Sequence, residues 1–220
     1  MKQPTRLTAD DLHAMDKRYR AHFINSLAGF KSANLVGTAD AEGNPNLAIV
    51  SSVIHLGANP PLMGMVTRPR TVERHSVENL LASGYYTLNQ VNADIVEAAH
   101  QTSAKYPRGE SEFAATGLTP LYSDLHPAPF VAESRLSVAL KLREDKLIEL
   151  NDTEFIIGEI IEVRLDGDAI HEDGFVDLEA LGSVAISGLD GYHSTRRIAR
   201  LPYAKPDRPL TSAKGSDRGL

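Results

Sequence analysis

The sequence has no cysteine among its 220 residues, which excludes disulfides, thiol catalysis, iron–sulfur clusters and zinc knuckles. It has no excess of basic charge either: 23 lysines and arginines stand against 29 acidic residues, a net charge of −6. A general nucleic-acid binder would carry a basic excess or stripe, so that class is set aside, and the mild acidity names no partner. No run approaches the roughly 18 apolar residues of a membrane span, and the opening Met1–Asp11 does not read as a signal peptide. Gly-x-Gly-x-x-Gly and Gly-x-x-x-x-Gly-Lys are absent, so neither a Rossmann fingerprint nor a P-loop has support. Gly-x-Ser-x-Gly is missing too, since Ile186-Ser187-Gly188 lacks the first glycine. The expectation is a soluble, cytoplasmic globular chain, with 42% hydrophobic residues to build a core.

What is there begins with a charged segment, Leu7–Tyr19, in which Leu12, Met15 and Tyr19 recur at helical spacing. Ala33–Thr38 then reads as a strand, 40–45 as a turn and Asn46–Ile54 as a second strand, together a hairpin. Leu62–Thr67 is a third strand. A helix is predicted over Thr71–Ala82, with Thr71 as its cap, Glu73 in the first turn and Val77, Leu80 and Leu81 on its apolar face. Gly84 stops it, Tyr85–Val91 is a strand, and a second helix is predicted over Ala93–Lys105 with Asn92 as its cap and a thin face of Ile95, Ala98 and Ala99. Leu136, Val138, Leu140 and Leu142 alternate with polar or small residues, which predicts a strand with one buried face. Phe155–Leu165 is expected to bury Phe155, Ile157, Ile161, Val163 and Leu165, with Glu159 interrupting. Short strands at this spacing with helices inserted predict a small barrel rather than βαβ units. Residues 1–30 are expected to form a helical segment, 31–200 the barrel domain, and 201–220, rich in Pro, Gly, Ser and charge, a flexible tail.

The chemistry gathers where the second strand ends. Ser51 and Ser52 offer adjacent hydroxyls, and Thr67, Arg68, Arg70, Arg74 and His75 follow before and inside the next helix start. Hydroxyls, arginine forks and a helix N-terminus favour a phosphate dianion. The alternative is serines paired across a sheet edge and solvated arginines. Eight histidines (His13, His22, His55, His75, His100, His126, His171, His193) show no i, i+4 or His-x-His pair, so no metal site is expected. Glu133, Arg135, Asp152 and Glu154 flank strand ends and suit either acid–base work or ordinary turns. Tyr192, between Gly191 and His193, suits either a planar ligand or an anchor for the C-terminal segment.

In order and spacing, Asn34–Asn89 resembles the flavin reductase-like domain, the FMN-binding split barrel. The matching elements are Gly43-Asn44-Pro45-Asn46, the Ala48…Ser51-Ser52 strand, Pro60-Pro61-Leu62, Thr67-Arg68-Pro69, Asn79, and the run from Gly84 to Asn89. Phe113…Thr116-Gly117-Leu118, Ala132-Glu133-Ser134, 156–160 and 188–192 continue the likeness. The resemblance implies a mainly β split barrel with inserted helices, and a homodimer with FMN near its interface. It also implies that Asn46, Leu47, Ala48 and Ile49 lie along the isoalloxazine edge through backbone groups. Ser51, Ser52, Thr67 and Arg68 would surround the ribityl phosphate, with His75 where many relatives have threonine and Tyr192 beside the ligand. FMN would carry the redox chemistry. The reaction implied takes hydride from NAD(P)H and passes electrons to a free flavin or another small acceptor. Many NAD(P)H-dependent relatives carry Asp-His-Thr ahead of the Ile-x-x-Gly strand, whereas this chain reads Asn151-Asp152-Thr153-Glu154, with Thr153 at the histidine's place. That departure keeps two alternatives open: a non-enzymatic FMN electron carrier, and a flavin-free dimeric scaffold.

Overall fold

Two short helices, not one, open the chain. In this computed structural model, which describes residues 5–69, 75–107 and 109–206, Thr8 and Asp11 form a reciprocal capping box on α1 (Ala9–Ala14). Met15 is extended, and the Asp16 carboxylate then accepts the N–H groups of Arg18 and Tyr19 to start α2 (Lys17–Leu27). A second cap inside the apolar periodicity divides the expected Leu7–Tyr19 helix. Neither helix fully buries a residue.

The strands that follow are β1 (Lys31–Ser32), β2 (Asn34–Ala39), β3 (Pro45–Val50), β4 (Val53–Ala58), β5 (Pro61–Thr67) and β6 (Tyr85–Gln90). After them come β7 (Pro120–Leu121), β8 (Phe130–Val131), β9 (Leu136–Ile148), β10 (Thr153–Leu165), β11 (Val184–Ser187) and β12 (Gly191–Ser194). The described helices beyond α2 are α3 (His75–Ser83), α4 (Val96–Gln101) and α5 (Glu112–Thr116). The expected cap Thr71 and the first-turn Glu73 lie outside the described residues, as does 207–220. The expected Ala93–Lys105 helix is instead a 3₁₀ turn over Ala93–Ile95 running into the six-residue α4, with Asn92 accepting from Asp94 N–H.

β2 through β6, β9 and β10 form one antiparallel sheet in the order β3-β2-β6-β9-β10-β5-β4. Its two outermost strands, β3 and β4, are consecutive in sequence. The stretch expected as one strand over Asn46–Ile54 is therefore broken at Ser51-Ser52, where the chain leaves one sheet edge and begins the other. Ser52 holds this corner against β5: its hydroxyl donates to the Val66 carbonyl at 2.6 Å and its own carbonyl accepts the Val66 N–H. β11 pairs with β1 on one side and β12 on the other in a second, three-stranded sheet.

Each side of the main sheet has its own core. Val36, Met65, Leu80, Tyr86, Leu88, Leu140 and Ile156 pack inside the barrel, with α3 contributing Leu80. Ala33, Leu35, Leu47, Val91, Ile95, Ala99, Phe113, Val131, Val184 and Ile186 pack outside it, beneath α4, α5 and β11. β2 is consequently buried on both faces. The start of β9 is too: Ala139 is as buried as Leu140, in contrast to the single buried face expected from its alternation. On β10 the expected face is the outer one. Glu154, Ile156 and Gly158 point inward, while Ile161 and Val163 are 37% and 49% exposed. Gly158 is inward because its hydrogen faces Tyr86: a Cβ there would sit 2.9 Å from Leu140 Cβ and against the Tyr86 phenol. Burial pushes that phenol far above its ordinary pKa. A bulge between Ile160 and Glu162 then shifts the register with β9. The sequence pattern misleads because the inward row carries Glu154 and Gly158 while the outward row carries Phe155 and Ile157.

The segment from β7 to β8 lies over the outer side of β6, β9 and β10. Its His126 ring is stacked near Tyr85 and edge-on to Phe130, with Nε2 3.3 Å from Glu162, and Glu162 accepts hydrogen bonds from Ser123 and Arg164. Burial raises the Glu162 pKa, but hydrogen bonds from Ser123 and Arg164 and the charge of Arg164 outweigh it, and the net shift is downward.

Candidate functional site

The corner at Ser51-Ser52 and the end of β5 meet at one mouth of the barrel. β5 pairs with β10 through Val66↔Phe155 and Thr67↔Glu154, and with β4 through Met65↔Val53. Register alone therefore brings Thr67 within a residue or two of Ser52. Ser51 and Ser52 are half-buried, Arg68 is exposed, and Thr67 is buried. Thr67 Oγ1 has no hydrogen-bond partner among the described residues. A buried hydroxyl left unpaired costs about 1–3 kcal/mol. It is the type of atom that a ligand oxygen would satisfy. His75 opens the described part of α3, half-buried. Arg70 and Arg74 lie outside the described residues.

Among the four residues of β3 singled out from the sequence, two kinds of placement occur. Antiparallel pairing alternates the backbone groups that face a neighbour with those that face away. Leu47 N–H donates to the Glu112 carboxylate at 3.0 Å, and the Pro45 carbonyl accepts from Ser111 Oγ at 2.6 Å. Both groups therefore point away from β2, and by the same alternation so do those of Ile49. Asn46 and Ala48 turn their backbone groups to Thr38 and Val36 on β2. The Asn46 side chain donates to Ser76 Oγ on α3 at 2.7 Å, and the Leu47 side chain is wholly buried. The start of α5 thus covers the first part of the open β3 edge, and the edge at Ile49, leading to Ser51, is the part that α5 leaves. Glu112 and Ser111 carry no sequence signal for this role, because they lie 65 and 66 residues from their partners.

Tyr192 sits apart from that mouth. It pairs with Ile186, packs against the outer core, and its hydroxyl lies 3.0 Å from His100 Nδ1 on α4. Burial, and secondarily the Asp190 charge, raises its pKa. It lines an open groove of about 450 Å³ with Asp94, Glu97, His193 and Ser194. Ser51, Ser52, Thr67 and Arg68 do not line this groove. Ile49 touches the same outer core as Tyr192, and that shared core is the link between the two regions. Nearby, Ser187 Oγ and His193 Nε2 lie 2.8 Å apart and tie the β11–β12 hairpin. Glu133 accepts the Thr119 N–H, Arg135 pairs with Asp94, and Thr153 donates to Asn151 Oδ1 at 2.7 Å across its own turn. Among the described residues no group of three or more His, Asp or Glu side chains gathers as a metal site, and no helix is long and apolar enough to cross a membrane.

A sheet whose first and last strands are joined through a hydroxyl-bearing corner, with helices inserted between strands, defines a split β-barrel. Residues 27–179 match the flavin reductase-like domain, and the chain belongs to that family. A flavin-reductase candidate with a split barrel domain from Shewanella frigidimarina is 57% identical, with a TM-score of 0.88 over 91% of this chain and 100% of that one. The flavoredoxin of Desulfovibrio vulgaris shares the fold at 23% identity, with a TM-score of 0.67 over 81% of this chain and 92% of its own. An NADH:FAD oxidoreductase of Streptomyces globisporus does so at 15% identity, with a TM-score of 0.66 over 89% of this chain and 100% of its own.

Proposed function

We propose that this protein is an FMN-dependent oxidoreductase that accepts electrons from NAD(P)H and passes them to a free flavin or another small acceptor. Family membership supports flavin binding. The observation that favours FMN and this site is the unpaired Thr67 hydroxyl, buried beside Ser51 and Ser52 with the Arg68 cation at the rim. These residues would hold the ribityl phosphate through hydroxyl donors and one guanidinium. The open backbone of Ile49 would hydrogen-bond the ring edge. Bound flavin would supply two-electron chemistry at its ring. This chain's part is to fix the ring edge, neutralise the phosphate and keep the barrel mouth narrow.

A second copy of the chain completes the reading. Ile54, Leu56, Val66, Phe155 and Ile157 share the outer face of β4, β5 and β10, and the first three are 37–49% exposed. An apolar sheet face of this extent supports a homodimer. Ile54→Lys should convert a dimer to a monomer in light scattering on a sizing column. An unchanged mass would remove this face from the interface.

The test of the enzymatic reading is anaerobic addition of NADH and then NADPH to the FMN-loaded protein. Flavin absorption near roughly 450 nm should bleach with at least one of them. A spectrum that persists with both would favour an electron carrier. The specific observation behind that second reading is Thr153, whose hydroxyl is bonded within its own turn and gives no imidazole to a nicotinamide.

A further inference from the structure

We propose that Glu112 is a positioning residue that lowers the reduction potential of the flavin, acting as a buried negative charge set on the strand edge beside the ring. The proposal rests on the flavin reading given above. Glu112 is 8% exposed, yet it is the first residue of α5 and has no ion-pair partner among the described residues. Its carboxylate is held by the Leu47 N–H at 3.0 Å, and Ser111, one residue earlier, fixes the same end of α5 on the Pro45 carbonyl. Two hydrogen bonds from consecutive residues therefore pin this carboxylate at one site on the open edge of β3.

The next open position along that edge is Ile49, two residues on, about 7 Å away at strand rise. A ring held by the Ile49 backbone would have the Glu112 charge one step away along the strand. Reduced flavin carries more negative charge on its ring than oxidised flavin near neutral pH. A fixed like charge at that separation, weakly screened by a buried setting, disfavours the reduced form. Glu112 would therefore bias the bound flavin toward giving electrons up. The Leu47 N–H is essential to this arrangement, because it keeps the carboxylate in place without neutralising it.

The experiment is a dye-coupled equilibrium reduction of the FMN-loaded protein, with the dissociation constant of oxidised FMN measured alongside. Glu112→Gln keeps an acceptor oxygen for Leu47 N–H and removes the charge. The reduced-to-oxidised ratio at a fixed potential should rise about tenfold, which for a two-electron couple is ~30 mV. Ala115→Lys places a cation on the exposed face of α5 three residues along and leaves Glu112 untouched. It should move the ratio in the same direction by about threefold. Loss of FMN from Glu112→Gln would mean that the carboxylate holds the flavin rather than setting its potential, and would overturn this role. FMN-loaded variants whose potentials equal the wild type would overturn this role and leave the flavin site standing. Wild-type protein that takes up no flavin would overturn both.

Discussion

Thr67→Val is expected to shift two quantities in opposite directions. The flavin-free protein should become about 1 kcal/mol more stable, because an apolar group of the same shape replaces a buried hydroxyl with no partner among the described residues. FMN binding should weaken about tenfold or more, since a hydrogen bond to a charged group contributes roughly 1.5–3 kcal/mol. Urea denaturation and calorimetric titration read the two effects separately. Valine is the right replacement because it retains the β-branching that suits a strand end. A residue that served only the fold would lose stability and leave ligand affinity alone. A variant that is less stable and binds FMN as tightly as wild type would remove Thr67 from the site.

Gly37→Ala should destabilise the barrel by about 3 kcal/mol, the upper end of ordinary overpacking. Gly37 lies on β2 under the β7–β8 segment. A Cβ there would be driven into the Pro129 carbonyl oxygen and would sit 2.5 Å from Thr87 Oγ1. Those two atoms are themselves joined by a 2.6 Å hydrogen bond, so neither can retreat without breaking it. Asn89 adds to the constraint by bonding both Thr87 Oγ1 and the Val131 N–H. The result to look for is a lower urea midpoint with an unchanged slope, which reports lost stability without a changed denatured state. A midpoint equal to wild type would mean that the β7–β8 segment is free to lift from the sheet.

The two predictions also show where the sequence is readable. The β2–β3 hairpin is legible because its turn residues are local: Asp40 Oδ1 accepts the N–H groups of Glu42 and Asn44, and Gly43 adopts a positive φ of 84°. The paired serines, the threonine and the arginine suggest phosphate chemistry by residue type alone, and the fold brings Ser51, Ser52 and Thr67 to one corner. That Ser51-Ser52 is a corner is not, because the apolar run continues through it and the turn is fixed by Val66 on another strand. The β10 face is illegible for a related reason. Phe155 and Ile157 are as apolar as Ile156, and only the barrel's closure decides which row points inward. Glu112 is least readable of all, since its meaning lies in a backbone N–H 65 residues away. Tyr192 is readable either as a face for a planar ligand or as an anchor; it packs against the outer core with its hydroxyl 3.0 Å from His100 Nδ1, a contact its sequence neighbours do not signal.

A phosphate-reading flavin site at the Ser51–Ser52 corner stands or falls on calorimetric titration of the wild-type protein with FMN and with riboflavin. The predicted result is one FMN per chain with a dissociation constant in the micromolar range or below. Riboflavin, which has the same ring and no phosphate, should bind at least about a hundredfold more weakly, the loss expected when charge-assisted hydrogen bonds are removed. Equal affinity for the two, or no binding of either, would mean that this corner does not read a flavin phosphate.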